Sequence, residues 1–190
     1  MRGSDTTDRP SPKTMRVLGI DCGSEWTGFG VVDSDAVGGL HPVAHGAIHL
    51  VKKDSLPTRL SIVYRRLLEL MELHQPAVVA VEEVFHAANS NTALKLGHVR
   101  GVALLAAATC GLPVAEYAPL SVKSAVSGYG LADKQQVQFM VMRLLSLSAP
   151  PEPVDASDAL AIAICHIHHA QTALAQQDFS SGAKKTRNRR

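Results

Sequence analysis

A chain of 190 residues has room for one hydrophobic core of useful size, whereas two independent cores would each be small. With 46% hydrophobic residues, 19% charged residues and few aromatics, the composition is that of a folded globular protein and excludes a disordered chain. Formal net charge is only +2, and five cationic side chains fall in residues 181 to 190 (SGAKKTRNRR) with no acid, so charge alone does not assign the rest to a nucleic-acid partner.

No apolar run reaches the roughly 18 residues of a membrane span, and the first fourteen residues lack a signal-peptide core. The expectation is a cytoplasmic protein with no membrane contact. Cys22, Cys110 and Cys165 are odd in number, widely spaced and set among apolar residues, so they read as small hydrophobes, not as a disulfide framework or zinc module.

Residues 1 to 14 are polar and contain proline, and are read as a disordered leader. Strands are predicted over 16 to 21, 27 to 33 (TGFGVVD) and 43 to 51, with glycine-containing turns that favour antiparallel hairpins. From 58 to 74, Leu60, Val63, Tyr64, Leu67, Leu68 and Met71 recur at helical spacing, and Pro76 stops the helix. The run AVVAVEEVF (77 to 85) is apolar and β-branched, the pattern of a strand covered on both faces. Helix follows over 90 to 109, where Gly97 and Gly101 stand four apart and predict a close contact, and then a short strand over 113 to 117 (PVAEY). Further helices are predicted over 119 to 126, 133 to 147 and 155 to about 173, with 174 to 190 as a disordered basic tail. Early strands followed by strand–helix alternation make 15 to 173 one α/β domain built on a mixed sheet.

Several acids stand where burial costs several kcal/mol unless they are paired, protonated or bound to a cation. Asp21 ends VLGID, Glu82 sits in VVAVEEVF with Glu83 on the opposite face, and Asp155 and Asp158 share one face at a helix start. Each has a plainer reading, as a turn residue for Asp21 and as caps or dipole partners for Asp155, Ser157 and Asp158. Those readings weaken jointly, because all four acids can converge at one sheet edge. An all-oxygen cluster suits Mg²⁺ or Mn²⁺, and a pair of such ions about 4 Å apart is a standard device for phosphodiester hydrolysis. His166, His168 and His169 lie two turns beyond Asp158 and suit a helix end better than a metal site. Trp26 and Phe29 read either as core or as a base-stacking platform.

The segments LGIDCGSEWTGFGVV, AVEEVF, NSNTALKLGHVRGVAL, VKSAVSGYGLADKQQVQFMV and DASDALAIAICH, in this order from about residue 15 to 169, resemble the bacterial RuvC-type Holliday junction resolvases, the crossover junction endodeoxyribonucleases. The resemblance implies a ribonuclease H-like mixed sheet with helices on both faces and a homodimer. It also implies symmetric, Mg²⁺-dependent cuts in two strands of four-way junction DNA during recombination and repair. The family's acidic tetrad matches Asp21, Glu82, Asp155 and Asp158, with Asp21 bridging two ions per subunit and Asp155 a further ligand or a water-assisting group. Lys123 and Lys134 match basic residues that contact phosphates, and Phe85 matches an aromatic that stacks on bases near the junction centre. A branch-migration helicase complex of the RuvA and RuvB type is the implied partner.

Two positions depart from the pattern: Cys22 stands where members commonly carry proline, and Ala88 replaces a frequent lysine. Gly23 is expected to keep the turn slim enough for a DNA backbone to approach. Three other readings compete. A RuvX-like nuclease shares the fold but lacks the NSNTALKLG and ADKQQVQ segments. A catalytically idle junction-binding module would not retain phosphate-repelling acids. An actin-like ATPase has a similar GIDCGSEWTG loop but needs a second phosphate loop and a longer chain.

Overall fold

In the computed structural model, residues 15–83 and 90–187 are described. The elements are β1 Met15–Asp21, β2 Trp26–Ser34, β3 Leu40–His49, α1 Leu56–His74, β4 Val78–Glu82, α2 Ser90–Thr109, β5 Val114–Tyr117, α3 Pro119–Ser127, α4 Lys134–Leu144 and α5 Val154–Arg187. The strands form one sheet in the order β3-β2-β1-β4-β5. Hairpins make β1, β2 and β3 antiparallel, whereas β4 and β5, each reached through a helix, run parallel to β1 and to each other.

Alternation along the central strands divides the core in two. Leu18, Ile20, Val79 and Val81 pack on one side with Val63, Leu67, Met71, Val99 and Ala103 of α1 and α2. Val17, Val78 and Ala80 face the other side, where α3, α4 and α5 contribute Val122, Val137, Val141, Leu160 and Ile164. Helices therefore cover both faces, which explains why β1 and β4 read as continuous apolar runs. Asp21 and Glu82 follow Gly19 and Ala80 by two residues, so both carboxylates fall on the α5 face at the C-terminal ends of adjacent parallel strands.

Helix α5 reaches the sheet because β1 and β2 present glycine beneath it. A Cβ on Gly19 would lie 2.1 Å from the Ala159 carbonyl oxygen, and one on Gly28 would lie 2.0 Å from that of Asp155. The close packing expected at Gly97 and Gly101 is absent among the described residues, where a Cβ at either position would meet nothing within 4 Å.

Two boundaries differ from expectation. Strand β3 starts at Leu40, because a bulge opposite Val31 and Val32 lets Pro42 remain in this edge strand. Helix α5 continues to Arg187, beyond the end predicted near 173 and into the segment read as a structureless tail. No proline, and no glycine before Gly182, interrupts it, and Leu174, Ala175, Gln176 and Gln177 just past the predicted end are good helix formers.

Candidate active site

Three parts of the fold bring charged groups to one place. Asp21 and Glu82 come from the ends of β1 and β4, Asp158 from the first turns of α5, and Lys123 and Lys134 from α3 and α4. All five line a cleft of about 240 Å³ whose walls include Val122, Val137 and Ile162. Lys134 is placed by a capping box: Asp133 Oδ1 accepts the Gln136 amide at 2.8 Å and Gln136 Oε1 accepts the Asp133 amide at 3.0 Å. A lysine in the first turn opposes the helix dipole. The nearby carboxylate offsets this, for Lys134 Nζ lies 2.7 Å from Asp158 Oδ2.

The cluster is short of positive charge. Burial, then the charges of Asp158, Glu82 and Asp155, push the Asp21 carboxyl up to about 7, against the opposing pull of Lys134. Burial and Asp158 also raise Glu82, with Lys123 and Lys134 opposing. For Lys134, burial acts to lower the pKa, but the hydrogen bond and charge of Asp158 outweigh it and hold the ammonium above its ordinary value. Carboxylates that hinder one another's ionisation form an all-oxygen donor set suited to a hard divalent cation. Among the described residues no three carboxylates, thiols or imidazoles are already gathered around one point as ligands. Asp158 is instead turned to the Lys134 ammonium, which stands where the donor set calls for a cation.

The remaining predicted residues fall elsewhere. Asp155 does not line the cleft; it lies in the first turn of α5, with its carbonyl against Gly28, and its charge reaches Asp21 from the side. Phe85 and Ala88 lie outside the described residues. Cys22 turns to the α1–α2 face and packs against the core there, where burial, then Asp21, pushes the thiol up to about 12. A small apolar side chain thus fills the place of the expected proline. A Cβ on Gly23 would lie 1.9 Å from the Trp26 carbonyl oxygen, so it is the missing side chain that lets this turn close so tightly. His166 Nδ1 is 2.8 Å from the Tyr117 hydroxyl, His169 stacks on Tyr117, and His168 Nδ1 is 2.9 Å from the Ala125 carbonyl oxygen.

Arg100 is a supporting residue that sequence reasoning missed. Its Nε donates to the Glu82 carbonyl at 3.3 Å while its guanidinium pairs with Glu116, clamping the end of β4 to β5. The available signal was the one arginine of α2, at the start of its apolar second half.

A mixed sheet in this strand order, with acids at the ends of its first and fourth strands and at the start of its last helix, defines a nuclease-type protein of the ribonuclease H-like fold. The family described as "Crossover junction endodeoxyribonuclease RuvC" matches residues 17–166, and the chain belongs to that family. The crossover junction endodeoxyribonuclease RuvC of Koribacter versatilis is 60% identical over 158 residues, covering 83% of this chain and 95% of the relative. Thermus thermophilus RuvC superposes with a TM-score of 0.77 at 34% identity, over 84% of this chain and 97% of that one. The same bacterium's RuvC in complex with Holliday junction substrate gives a TM-score of 0.76 at 32% identity, over 83% and 96%. Nucleases of this family depend on a metal.

Proposed function

We infer that the chain is a Holliday junction resolvase, an endodeoxyribonuclease that hydrolyses phosphodiesters of four-way junction DNA during recombination and repair. The observation that carries this reading is the convergence of Asp21, Glu82, Asp158, Lys123 and Lys134 on one cleft in a chain of the RuvC family. Asp21, Glu82 and Asp158, with Asp155 beside them, are the proposed ligands of two Mg²⁺ per subunit, which would supply Lewis acidity for attack of water at phosphorus and departure of the 3′ oxygen. Asp21 would give up its proton to complete the anionic site. Lys123 and Lys134 would neutralise phosphate oxygens of the cleaved strand, with Lys134 exchanging Asp158 for the phosphate. Phe85 keeps its proposed stacking role.

Two opposed cuts need two sites, and each chain has one such cleft among its described residues. The proposed contact between two copies is the outer face of α2, where Leu94 and Leu105 are exposed alongside Gly97 and Gly101. Among the described residues no helix is long and apolar enough to cross a membrane. A cytoplasmic site of action and delivery by a RuvA and RuvB type helicase fit the reading.

Labelled junction and linear duplex incubated with and without Mg²⁺ test it. The expected result is paired symmetric nicks in the junction alone, lost in Asp21→Asn while junction binding persists. Equal cutting of linear duplex, or Mg²⁺-dependent cutting by Asp21→Asn, would overturn it.

A further inference from the structure

Beyond the start of α5 the sheet carries a partly exposed aromatic pair. Residues of β2 alternate, so Trp26 shares the α5 face with Gly28 and Gly30, while Thr27, fully buried, points to the other core. The Asp155 carbonyl at the beginning of α5 rests on Gly28, and Gly28 is the cross-strand partner of Asp21. Trp26 lies two residues further along β2, about 7 Å at the usual strand rise, where the helix no longer covers it. Its indole stacks on the His49 ring, with centroids 4.1 Å apart and planes 29° apart, yet the residue remains 39% exposed.

Two further observations give this pair a partner. The platform is rigid: Trp26 pairs with His49 in the β2–β3 ladder, the Leu50 amide donates to the Glu25 carbonyl at 2.8 Å, and Gly23 closes the preceding turn tightly. Two cations, Lys52 and Arg59, stand beside it against the single carboxylate of Glu25. Lys52 Nζ lies 3.0 Å from Glu25 Oε1, Arg59 donates to the Ser24 carbonyl, and Arg59 and His49 both act electrostatically on Glu25. The strand order puts the pair on the side of Asp21 away from Glu82.

We propose that Trp26, backed by His49, is a stacking platform for a base of the DNA strand entering the cleft, on the rim opposite the Glu82 side; this rests on the resolvase reading above. Stacking on an aromatic plane is sequence-tolerant and suits a strand whose bases are splayed near a branch point. A platform of this kind would fix the strand on one side of the acids while the lysines hold its phosphates on the other.

Trp26 is the only tryptophan of the chain, so its emission reports on this position alone. A synthetic four-way junction is titrated into the full chain in chelator, with binding followed independently by anisotropy of a labelled junction strand. Expected are quenching of tryptophan emission and protection from acrylamide in step with binding. Trp26→Ala should weaken junction binding roughly tenfold, with Trp26→Phe closer to the parent. His49→Ala, a change at an exposed edge, should reduce the quenching amplitude. Saturating junction binding that leaves emission and acrylamide access unchanged would overturn the platform while sparing the resolvase reading. Absence of binding by anisotropy would overturn both. A Trp26→Ala variant that loses self-association but binds DNA with parental affinity would reassign the surface to a second copy of the chain.

Discussion

The Lys134 ammonium lies 2.7 Å from Asp158 Oδ2, joining the first residue of α4 to α5 across the mouth of the acidic cleft. The lysine side chain is 60% exposed, so the bridge contributes at most about 1 kcal/mol to folding. Its larger effect is to supply positive charge to a cluster that lacks it. In Lys134→Met that charge is gone, and a divalent cation should then relieve more repulsion than in the parent. The rise in melting temperature on adding Mg²⁺ should therefore be larger in the variant, and single-turnover junction cleavage should fall by about 10²-fold. Equal rises in the two proteins would show that Lys134 does not stand in for the cation.

Asp21 makes the metal-free protein sensitive to pH. With its pKa pushed up to about 7 from an ordinary 3.8, the folded state retains a proton between those limits that the unfolded state has released. The contribution of Asp21 to stability must then fall as pH rises from about 4 to about 7, and its loss is complete above that window. Asp21→Asn removes the ionisable group. In chelator the variant should exceed the parent by on the order of 2 kcal/mol at pH 8, with little difference near pH 4. Urea unfolding of both proteins at the two pH values measures this, and a pH-independent difference would contradict it. For the same reason the Mg²⁺ concentration giving half-maximal cleavage should rise as pH drops below 7.

The acids were legible in the sequence because a carboxylate inside an apolar strand conflicts with local patterning, and such conflicts concentrate at functional sites. Strands β1 and β4 were legible as short, continuous β-branched apolar runs, and helix α1 by its clean helical period. What stayed hidden was the spatial role of glycine. Gly97 and Gly101 have helical spacing and read as a packing motif, yet among the described residues a Cβ at either would meet nothing within 4 Å. Gly19 and Gly28 look like weak points in strands, but they determine how closely α5 approaches and so where Asp155 and Asp158 stand. One-dimensional patterns report which face a residue occupies, not what lies across from it. Arg100 was missed for that reason, since its partners Glu82 and Glu116 come from two other elements.

Gly28→Ala tests the role of that approach. The added Cβ would lie 2.0 Å from the Asp155 carbonyl oxygen, and a backbone atom cannot swing aside as a side chain can. Displacing α5 should destabilise the fold by roughly 1–3 kcal/mol. It should also carry Asp155 and Asp158 away from Asp21, so cleavage should fall well beyond what the unfolded fraction explains. A variant with a lowered urea midpoint but full activity per folded molecule would mean that the helix can shift without moving the acids.

The glycines of α2 predict the opposite outcome. Because a Cβ at Gly101 meets nothing within 4 Å, Gly101→Glu should leave the fold intact and gain up to about 1 kcal/mol of helix propensity. If the α2 face joins two copies, a buried charge there breaks the pair. Sedimentation should then show monomers, and junction cutting should become single and unpaired. A stable dimer with paired nicks would place the contact between copies on another surface.

Thiol chemistry separates the three cysteines. Burial raises Cys22, with Asp21 adding to the effect, and burial alone raises Cys165, each to about 12, so neither forms appreciable thiolate at pH 8. Cys110 is exposed at the end of α2. The native protein should therefore show one fast-reacting thiol toward a disulfide reagent, assigned to Cys110 by its loss in Cys110→Ser. The other two should react only as the protein unfolds, at rates that follow the urea transition. Fast native-state reaction of Cys22 would mean that the turn after Asp21 opens in solution, and that the thiol does not act as the apolar filler its packing implies.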